Sequence, residues 1–324
     1  MKLALSLTAA AVAFVGPALA QEEIVFGISA NPGSLQQETA AEFTRRANEK
    51  LGDKAQVTLY DSSQIGKDQE LMQKLKIGSV HMALPSSIMA SISDEFALFD
   101  MPFLVADREH LGRIEEEIFW PEIAPTVEDD GYKVLAVWEN GVRHITNNVR
   151  PIETPADLEG VKIRTPKSTW RVRMFEEWGA NPTPMSFSEV FTALQTGVID
   201  GQENPYTNIE AAQLDEVQEY LSETGHVYSP AYPTMGKRVY DEMDPEIRQA
   251  LEETAREMAE WARERGAEDD ARLQKELVDS GMEFNKADRD AFVEASKPIY
   301  DAFAEEVEGG GEMIDQAISL GAGS

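Results

Sequence analysis

The sequence contains no cysteine among its 324 residues, and this absence excludes several kinds of protein. Without thiols the chain can form no disulfide bond, no thiolate nucleophile and no zinc site with cysteine ligands. The few histidines show no metal-binding or catalytic spacing; they are His81, His110, His144 and His226. The sequence also lacks a G-x-S-x-G elbow, an HExxH motif and a glycine-rich phosphate loop. We therefore predict no cofactor, no metal ion and no catalytic residues.

Basic residues are also scarce, since 29 lysines and arginines stand against 59 aspartates and glutamates and leave a net charge of −30. A surface this acidic repels nucleic-acid phosphates and anionic membranes, so nucleic acid is not an expected partner. The simplest interpretation of the charge is solubility. An anionic ligand would need a local site of the opposite sign, which makes single arginines at the ends of strands and helices worth considering.

Long hydrophobic runs are missing except at the N-terminus. Lys2 precedes an apolar run from Leu3 to Val15, and Ala18-Leu19-Ala20 supplies an A-x-A cleavage site. The run is short for a membrane span, so we interpret residues 1–20 as a cleaved secretory signal peptide, with an uncleaved anchor as the alternative. The sequence thus predicts an exported protein whose remaining length suits two domains.

What the sequence does contain is an alternation of strand and helix patterns, which predicts an α/β fold. Strand patterns at 23–29, 56–60 and 80–84 alternate with helix patterns at 34–49 and 68–77. This order is typical of parallel strands joined by helical crossovers.

A second domain is predicted to begin near the Glu139–Gly141 turn, which separates two strand patterns. The segment 227–237 is interpreted as the return to the first domain. A helical pattern from Asp244 to Asp279 is long enough to touch both domains. Gly266 lies inside this pattern, so two helices broken near Gly266 are the alternative.

Arg164 and Asn204 are the leading candidates for a binding site, because each lies where a strand pattern gives way to a helix start. The planar fork of an arginine can bind a carboxylate through two parallel hydrogen bonds. A side-chain amide can both donate to and accept from a ligand. The residues leave two alternatives open, namely a surface arginine paired with an acid and an asparagine that only caps a helix.

Four other residues are candidates for contacts to the same ligand. Phe187 follows the predicted helix cap Ser186, so it can stack on a ligand or belong to the core. Ser86 and Ser87 follow a strand pattern and offer hydroxyl groups, or they form a turn. Arg143 lies two residues after Gly141 and can supply a second positive charge.

The stretch around Arg164 and Asn204 carries motifs that resemble one known family. These motifs are K-I-R-T-P at 162–166, G-A-N-P-T-P-M at 179–185, F-S-E-V at 187–190, A-L-Q-T-G at 193–197 and D-G-Q-E-N-P at 200–205. Upstream, S-S-Q-I-G at 62–66 and D-M-P-F at 100–103 fit the same pattern. The chain therefore resembles the solute-binding proteins of TRAP transporters, the DctP-type family, along essentially the whole mature sequence.

The resemblance implies a role for each candidate residue. Arg164 matches the arginine that grips the ligand carboxylate, and Asn204 matches the asparagine that helps to orient it. Arg143 matches the second arginine of the family, and Phe187 matches its aromatic residue.

Two departures from the family bear on specificity. Members that bind sialic acid carry an acidic residue where this chain has Pro85-Ser86-Ser87, which argues against that ligand. The segment from Lys167 to Arg171 also differs from those members, so Trp170 and Arg171 are predicted to set specificity.

The resemblance further implies an architecture and partners. We expect a two-lobed clamshell with a long helix across the hinge, lobe I comprising 21–140 with about 230–265 and lobe II comprising 141–229 with about 266–324. The expected ligand is a small organic carboxylate, a uronate, an aldonate or another hydroxy acid, with a C4-dicarboxylate also open. The expected partner is a sodium-coupled membrane permease, reached from the periplasm. Two alternatives remain open: a secreted lyase-like enzyme that uses His144 or a carboxylate as base, and a ligand-sensing input module.

Overall fold

The computed structural model describes residues 21–321, which fold into two β-sheets surrounded by helices. The predicted signal peptide, residues 1–20, lies outside these described residues. The strands are β1 (Glu22–Gly27), β2 (Ala55–Tyr60), β3 (Met82–Ala83), β4 (Tyr132–Val134), β5 (Trp138–Asn147), β6 (Lys162–Thr165), β7 (Asn181–Pro184), β8 (Gly201–Asn204), β9 (Tyr220–Ala231), β10 (Thr234–Gly236) and β11 (Glu283–Lys286). The α-helices are α1 (Leu35–Leu51), α2 (Asp68–Ile77), α3 (Arg108–Ile114), α4 (Thr169–Glu177), α5 (Val190–Gln195), α6 (Tyr206–Ala211), α7 (Lys237–Glu242), α8 (Pro245–Asp279), α9 (Arg289–Ala295), α10 (Lys297–Glu306) and α11 (Gly310–Gly321).

The first sheet has the strand order β2-β1-β3-β10-β4. β1 pairs in parallel with both β2 and β3, and α1 and α2 make the connections, which confirms the predicted β-α-β-α-β unit. Ser34 Oγ accepts a hydrogen bond from the Gln37 amide at the start of α1, and Gly78 ends α2 in the left-handed conformation with φ 73°. The local signals of the sequence therefore fix these helix ends.

The second sheet has the strand order β11-β9-β5-β8-β6-β7. Its strand β5 is continuous, so the predicted break at Glu139–Gly141 is wrong. A β-bulge absorbs the irregularity, because the register to β9 shifts between Glu139 and Gly141 and Gly141 adopts φ 125°. β9 ends at Ala231 and β10 of the first sheet begins at Thr234, so the chain passes directly from one sheet to the other.

Helix α8 runs unbroken for 35 residues and contributes to the cores of both sheets. Its buried face from Ile247 to Ala262 packs in a core with β1 and β2, whereas Leu273 and Leu277 pack in a core that includes Leu221 of β9. The alternative of two helices is therefore wrong. Gly266 instead permits close packing, because a Cβ there would collide with the Glu139 carboxylate. Among the helices of residues 21–321, none is both long and apolar enough to cross a bilayer.

The C-terminal helices α10 and α11 pack against two different helices, α4 and α3. α10 packs on α4, where the ring of Phe303 lies 5.1 Å from that of Trp170. α11 packs on α3, where His110 Nε2 lies 2.7 Å from the Ala317 carbonyl oxygen. The strand order of the two sheets does not show to which predicted lobe these helices belong. The lobe boundaries therefore stay a prediction.

Candidate ligand-binding site

A cavity of about 70 Å³ lies where strands of both sheets end. A single water needs on the order of 10–15 Å³ of such space, so the cavity suits a small molecule and not a macromolecule. Ser29 follows β1, Leu84 follows β3, and Arg164 and Asn204 lie at or next to the ends of β6 and β8. The carboxyl ends of strands therefore form the walls, as is usual in α/β proteins.

Six of the eight predicted site residues line this cavity: Arg164, Asn204, Arg143, Phe187, Ser86 and Ser87. Sequence reasoning missed other polar residues of the wall, among them Ser29, Asp68, Asn140 and Asn208. Ser29 follows a strand and Asp68 begins a helix, so the strand-end and helix-start signal could have found both. Asn140 and Asn208 carry no such signal, because one lies in a bulge and the other inside a helix.

Arg164 is a buried cation on the wall of the cavity. Its Nε and Nη2 atoms donate to the Met185 carbonyl oxygen at 3.0 and 2.7 Å, and its guanidinium lies 5.9 Å from the centroid of the Phe187 ring. Burial lowers the pKa of Arg164 to about 10, so the group stays charged at neutral pH. Within residues 21–321 no carboxylate forms an ion pair with Arg164, and its charge remains available to an anionic ligand.

Arg143 also lines the cavity, but its charge is already paired. Its Nε donates to Glu203 Oε2, and its Nη2 donates to Glu203 Oε1 at 2.9 Å. This two-pronged pairing stabilises a buried arginine. The same Nη2 donates to Asn204 Oδ1 at 3.1 Å, so Arg143 also orients the Asn204 amide.

Trp170 and Arg171 are predicted to set specificity, yet the structure places both outside the lining of the cavity. Arg171 Nη1 donates to Glu203 Oε2 at 2.8 Å, and Nη2 donates to Asp100 Oδ1 at 2.5 Å. Trp170 packs against Phe303. Arg171 lies outside the cavity because it forms ion pairs with two buried carboxylates. Trp170 lies outside it because its ring is packed in the hydrophobic core.

Glu203 joins the two arginines in one buried network. Burial alone would raise the pKa of this carboxyl, but Arg143 and Arg171 hold its pKa below the ordinary value. His226 Nε2 lies 3.1 Å from Glu203 Oε2, and burial lowers the pKa of His226 to about 4. Alternation along β8 points Glu203 away from the face of Asn204, so the same motif serves the cavity on one side and this network on the other.

A chain of side-chain amides runs along one wall of the cavity. Asn208 Nδ2 donates to Asn204 Oδ1 at 3.2 Å and to Asn140 Oδ1 at 3.1 Å. Asn140 Nδ2 in turn donates to Ser86 Oγ at 3.4 Å, and Ser86 Oγ donates to the Pro230 carbonyl oxygen at 2.6 Å. Two of the predicted residues, Asn204 and Ser86, are thereby linked through residues that the sequence did not indicate.

Asp68 supplies an acidic group to the cavity. Ser29 Oγ donates to Asp68 Oδ1 at 2.5 Å. Burial raises the pKa of Asp68, and Ser29, Arg164 and Lys167 counteract that rise. Nearby, Lys167 Nζ donates to Gln69 Oε1 at 2.8 Å, and Lys67 forms an ion pair with Glu189 at 3.1 Å. These contacts join the α2 region to the segments that follow β6 and β7.

His144, the candidate base of the enzyme alternative, does not line the cavity. Its ring stacks on Tyr206 with centroids 4.2 Å apart, and its Nδ1 accepts a hydrogen bond from the Gly225 amide at 3.1 Å. Burial lowers the pKa of His144 to about 3, so the ring is neutral at physiological pH.

Comparison with known proteins gives the same family as the motifs. The sequence model of the bacterial extracellular solute-binding proteins of family 7, DctP, matches residues 26–306. The 2,3-diketo-L-gulonate-binding periplasmic protein YiaO of Escherichia coli K12 is 34% identical over 305 residues, which is 93% of this chain and 93% of that protein.

Solved structures extend the likeness to the fold. A TRAP periplasmic solute-binding protein from Polaromonas sp. JS666, bound to D-erythronate, superimposes with a TM-score of 0.88 at 30% identity and covers 92% of this chain and 99% of that one. Another, from Sulfurospirillum deleyianum with bound succinate, has a TM-score of 0.88 at 28% identity and covers 93% and 100%. The predicted α/β clamshell with a long helix is thus confirmed, and the chain belongs to the DctP family of bacterial extracellular solute-binding proteins, which serve TRAP transporters.

Proposed function

We propose that the protein captures a small organic acid anion in the cavity, with the ligand carboxylate held by Arg164. The observation that carries this proposal is a buried, charged arginine on the cavity wall that forms no ion pair within residues 21–321. Met185 occupies the Nε side of the guanidinium and leaves the Nη1 end for a carboxylate. Asn204, oriented by Arg143, contacts the same group from the end of β8.

The nature of the ligands in related structures supports this choice. D-erythronate and succinate, held by two proteins of the same fold, are four-carbon organic acids. A cavity of about 70 Å³ agrees with a ligand of that class. Uronates, aldonates and other hydroxy acids are the ligands that we propose first, and Phe187, Ser86 and Ser87 complete the contacts.

Ligand binding is coupled to closure of the two lobes in this proposal. Lys67 with Glu189 and Lys167 with Gln69 make contacts between the α2 region and the segments after β7 and β6, which belong to different predicted lobes. These two contacts are solvent-exposed and individually weak, so each of them stabilises a closed form only slightly. A ligand that touches both sides shifts the population to the closed form.

The protein acts in the periplasm in this proposal, after export and removal of residues 1–20, and hands its ligand to a TRAP membrane permease. Its role is binding and not catalysis. The position of His144 outside the cavity lining and its lowered pKa support this view, because a base must reach the substrate.

A thermal-shift screen against a library of organic acids tests the proposal. A ligand at 100 times its Kd should stabilise the protein by about 2.7 kcal/mol, an effect that is absent for neutral and cationic solutes. The same incubations, analysed for reaction products, test the enzyme alternative. If no carboxylate shifts the melting curve, or if a product accumulates in proportion to the protein, the proposal is wrong.

A further inference from the structure

Within residues 21–321, the charged groups around the cavity add up to one net positive charge. Arg143, which lines the cavity, and Arg171, which does not, are balanced by Glu203 and Asp100, two cations against two anions. At the rim, Arg164 and Lys167 both act on the buried carboxyl of Asp68, so two cations face one anion. Together these groups leave a net charge of one positive unit, so the cavity offers compensation for one carboxylate. A second carboxylate would be desolvated without a counter-charge.

The amide chain fixes which atoms face one another on the opposite wall. A guanidinium can only donate, so the Asn204 atom that meets Arg143 must be its oxygen. The Asn208 atom that meets this oxygen must therefore be its nitrogen. That nitrogen uses its two hydrogens on Asn204 and Asn140.

In the described part of the chain, one acceptor of this wall is left without a donor, and two other groups of the cavity can only accept further hydrogen bonds. Asn208 Oδ1 is buried and has no hydrogen-bond partner within residues 21–321. Ser86 Oγ donates its hydrogen to the Pro230 carbonyl oxygen, so it can only accept a hydrogen bond from a ligand. Asp68 presents a carboxylate on the same cavity. Asn208 Oδ1 lacks a donor among the described residues, and an ionised carboxylate of the ligand cannot donate a hydrogen bond to it, whereas a hydroxyl can.

Building on the function proposed above, we infer that the ligand is a hydroxylated monocarboxylate, with its one carboxylate on Arg164 and a hydroxyl group donating to Asn208 Oδ1. A dicarboxylate is disfavoured for two reasons: the cavity compensates only one negative charge, and a second carboxylate cannot donate a hydrogen bond to Asn208 Oδ1. A ligand ammonium would also donate, but it would lie on a cavity that already contains the guanidiniums of Arg143 and Arg164. A neutral hydroxyl satisfies the acceptor without that repulsion.

Matched acids of equal length test the inference by isothermal titration calorimetry. D-erythronate has one carboxylate and three hydroxyls, butyrate has one carboxylate and no hydroxyl, succinate has two carboxylates, and 4-aminobutyrate has one carboxylate and an ammonium. Galactonate and adipate extend the comparison to six carbons. We expect the tightest ligand to be a hydroxylated monocarboxylate, with about tenfold or greater preference over the dicarboxylate of its length.

The outcomes separate this inference from the function on which it rests. If a dicarboxylate, an unhydroxylated acid or an amino acid binds tightest, the inference is overturned while the proposed function stands. If no acid binds at all, the proposed function fails as well.

Variants of the acceptor wall provide a second test. Asn208→Ala should weaken binding of the preferred hydroxy acid about tenfold and weaken binding of its dicarboxylate counterpart much less, since only the hydroxy acid loses a direct hydrogen bond. Asp68→Asn removes a negative charge from the cavity, so it should reduce the preference for the hydroxylated monocarboxylate over the dicarboxylate. Glu210→Gln, an exposed change on the same helix as Asn208, is the matched control and should leave both affinities unaltered. Equal losses for both ligand types in Asn208→Ala, with an unchanged melting temperature, would contradict the assignment of this acceptor to a hydroxyl.

Discussion

Arg164 and Arg171 come from consecutive elements, β6 and α4, and both are buried, yet their surroundings are opposite. Arg171 donates to two carboxylates, Glu203 and Asp100, and lies outside the cavity lining. Arg164 donates to a backbone carbonyl, faces an aromatic ring and lines the cavity. The difference teaches that burial does not identify a ligand-binding arginine. The decisive property is whether the protein itself already compensates the charge.

The contrast between the two arginines requires that Arg171 stabilises the fold, and this is the largest effect that we expect. Arg171→Met removes the cation shared by Glu203 and Asp100 and leaves buried carboxylates with fewer partners. Loss of one member of a buried pair typically costs about 3–5 kcal/mol, so the free energy of unfolding should fall by that order in urea titrations. Arg173→Met on the same helix is the control, because its ion pair with Glu306 is exposed and should contribute less than about 1 kcal/mol. Similar losses in both variants would remove the distinction.

Arg164 should show the reverse pattern. Arg164→Ala leaves the ligand carboxylate desolvated and unpaired, so binding should weaken by about 2–5 kcal/mol in calorimetric titrations. Arg164→Lys should recover only part of this loss, because an ammonium lacks the planar fork. Lys162→Ala, an exposed change on the same strand, serves as the control. A variant without Arg164 that binds at full strength would show that the carboxylate lies elsewhere.

The buried network should also respond to pH through its neighbouring histidines. Burial lowers the pKa of His226 to about 4 and that of His144 to about 3, whereas both rise to about 6.5 when the chain unfolds. As the pH falls from about 6.5 towards 4, the unfolded state therefore takes up protons that the folded state refuses. Each histidine then lowers the free energy of unfolding by about 1.4 kcal/mol per pH unit.

Urea unfolding at pH 7, 6 and 5 measures this slope. His226→Gln should flatten the slope relative to the parent protein by the share of one histidine, and the difference between the two proteins cancels the other titrating groups. Identical slopes would show that His226 is charged in the folded state, which would place a third cation beside Glu203.

Local patterns in the sequence predicted a large part of this molecule. The caps at Ser34 and Gly78, the parallel strand unit and the strand-end positions of Arg164 and Asn204 all depend on residues close together in the chain. Such signals need no knowledge of distant partners, which is why they were sufficient for the first sheet and for the main candidates.

The failures arise where tertiary packing decides. Gly141 and Gly266 have the sequence signature of chain breaks, but each allows close packing: a Cβ on Gly141 would lie 3.0 Å from Pro205 Cβ. Asp100, Arg171 and Glu203 come from three separate segments, so no spacing rule reveals that they meet. For the same reason Arg171 resembled a ligand contact until its partners were known.

The smallest expected effect concerns the ring beside Arg164. The Phe187 ring lies 5.9 Å from the guanidinium and is only partly buried, so the cation–π attraction should contribute about 0.5–1 kcal/mol. Phe187→Leu removes the ring that helps to position the Arg164 guanidinium, so it should weaken ligand binding two- to fivefold and lower the melting temperature of the free protein only slightly. Phe187→Tyr should retain the affinity because it keeps the ring. Loss of stability without loss of affinity in Phe187→Leu would show that Phe187 is a core residue. It would then be structural, like Arg171, and not part of the ligand site, like Arg164.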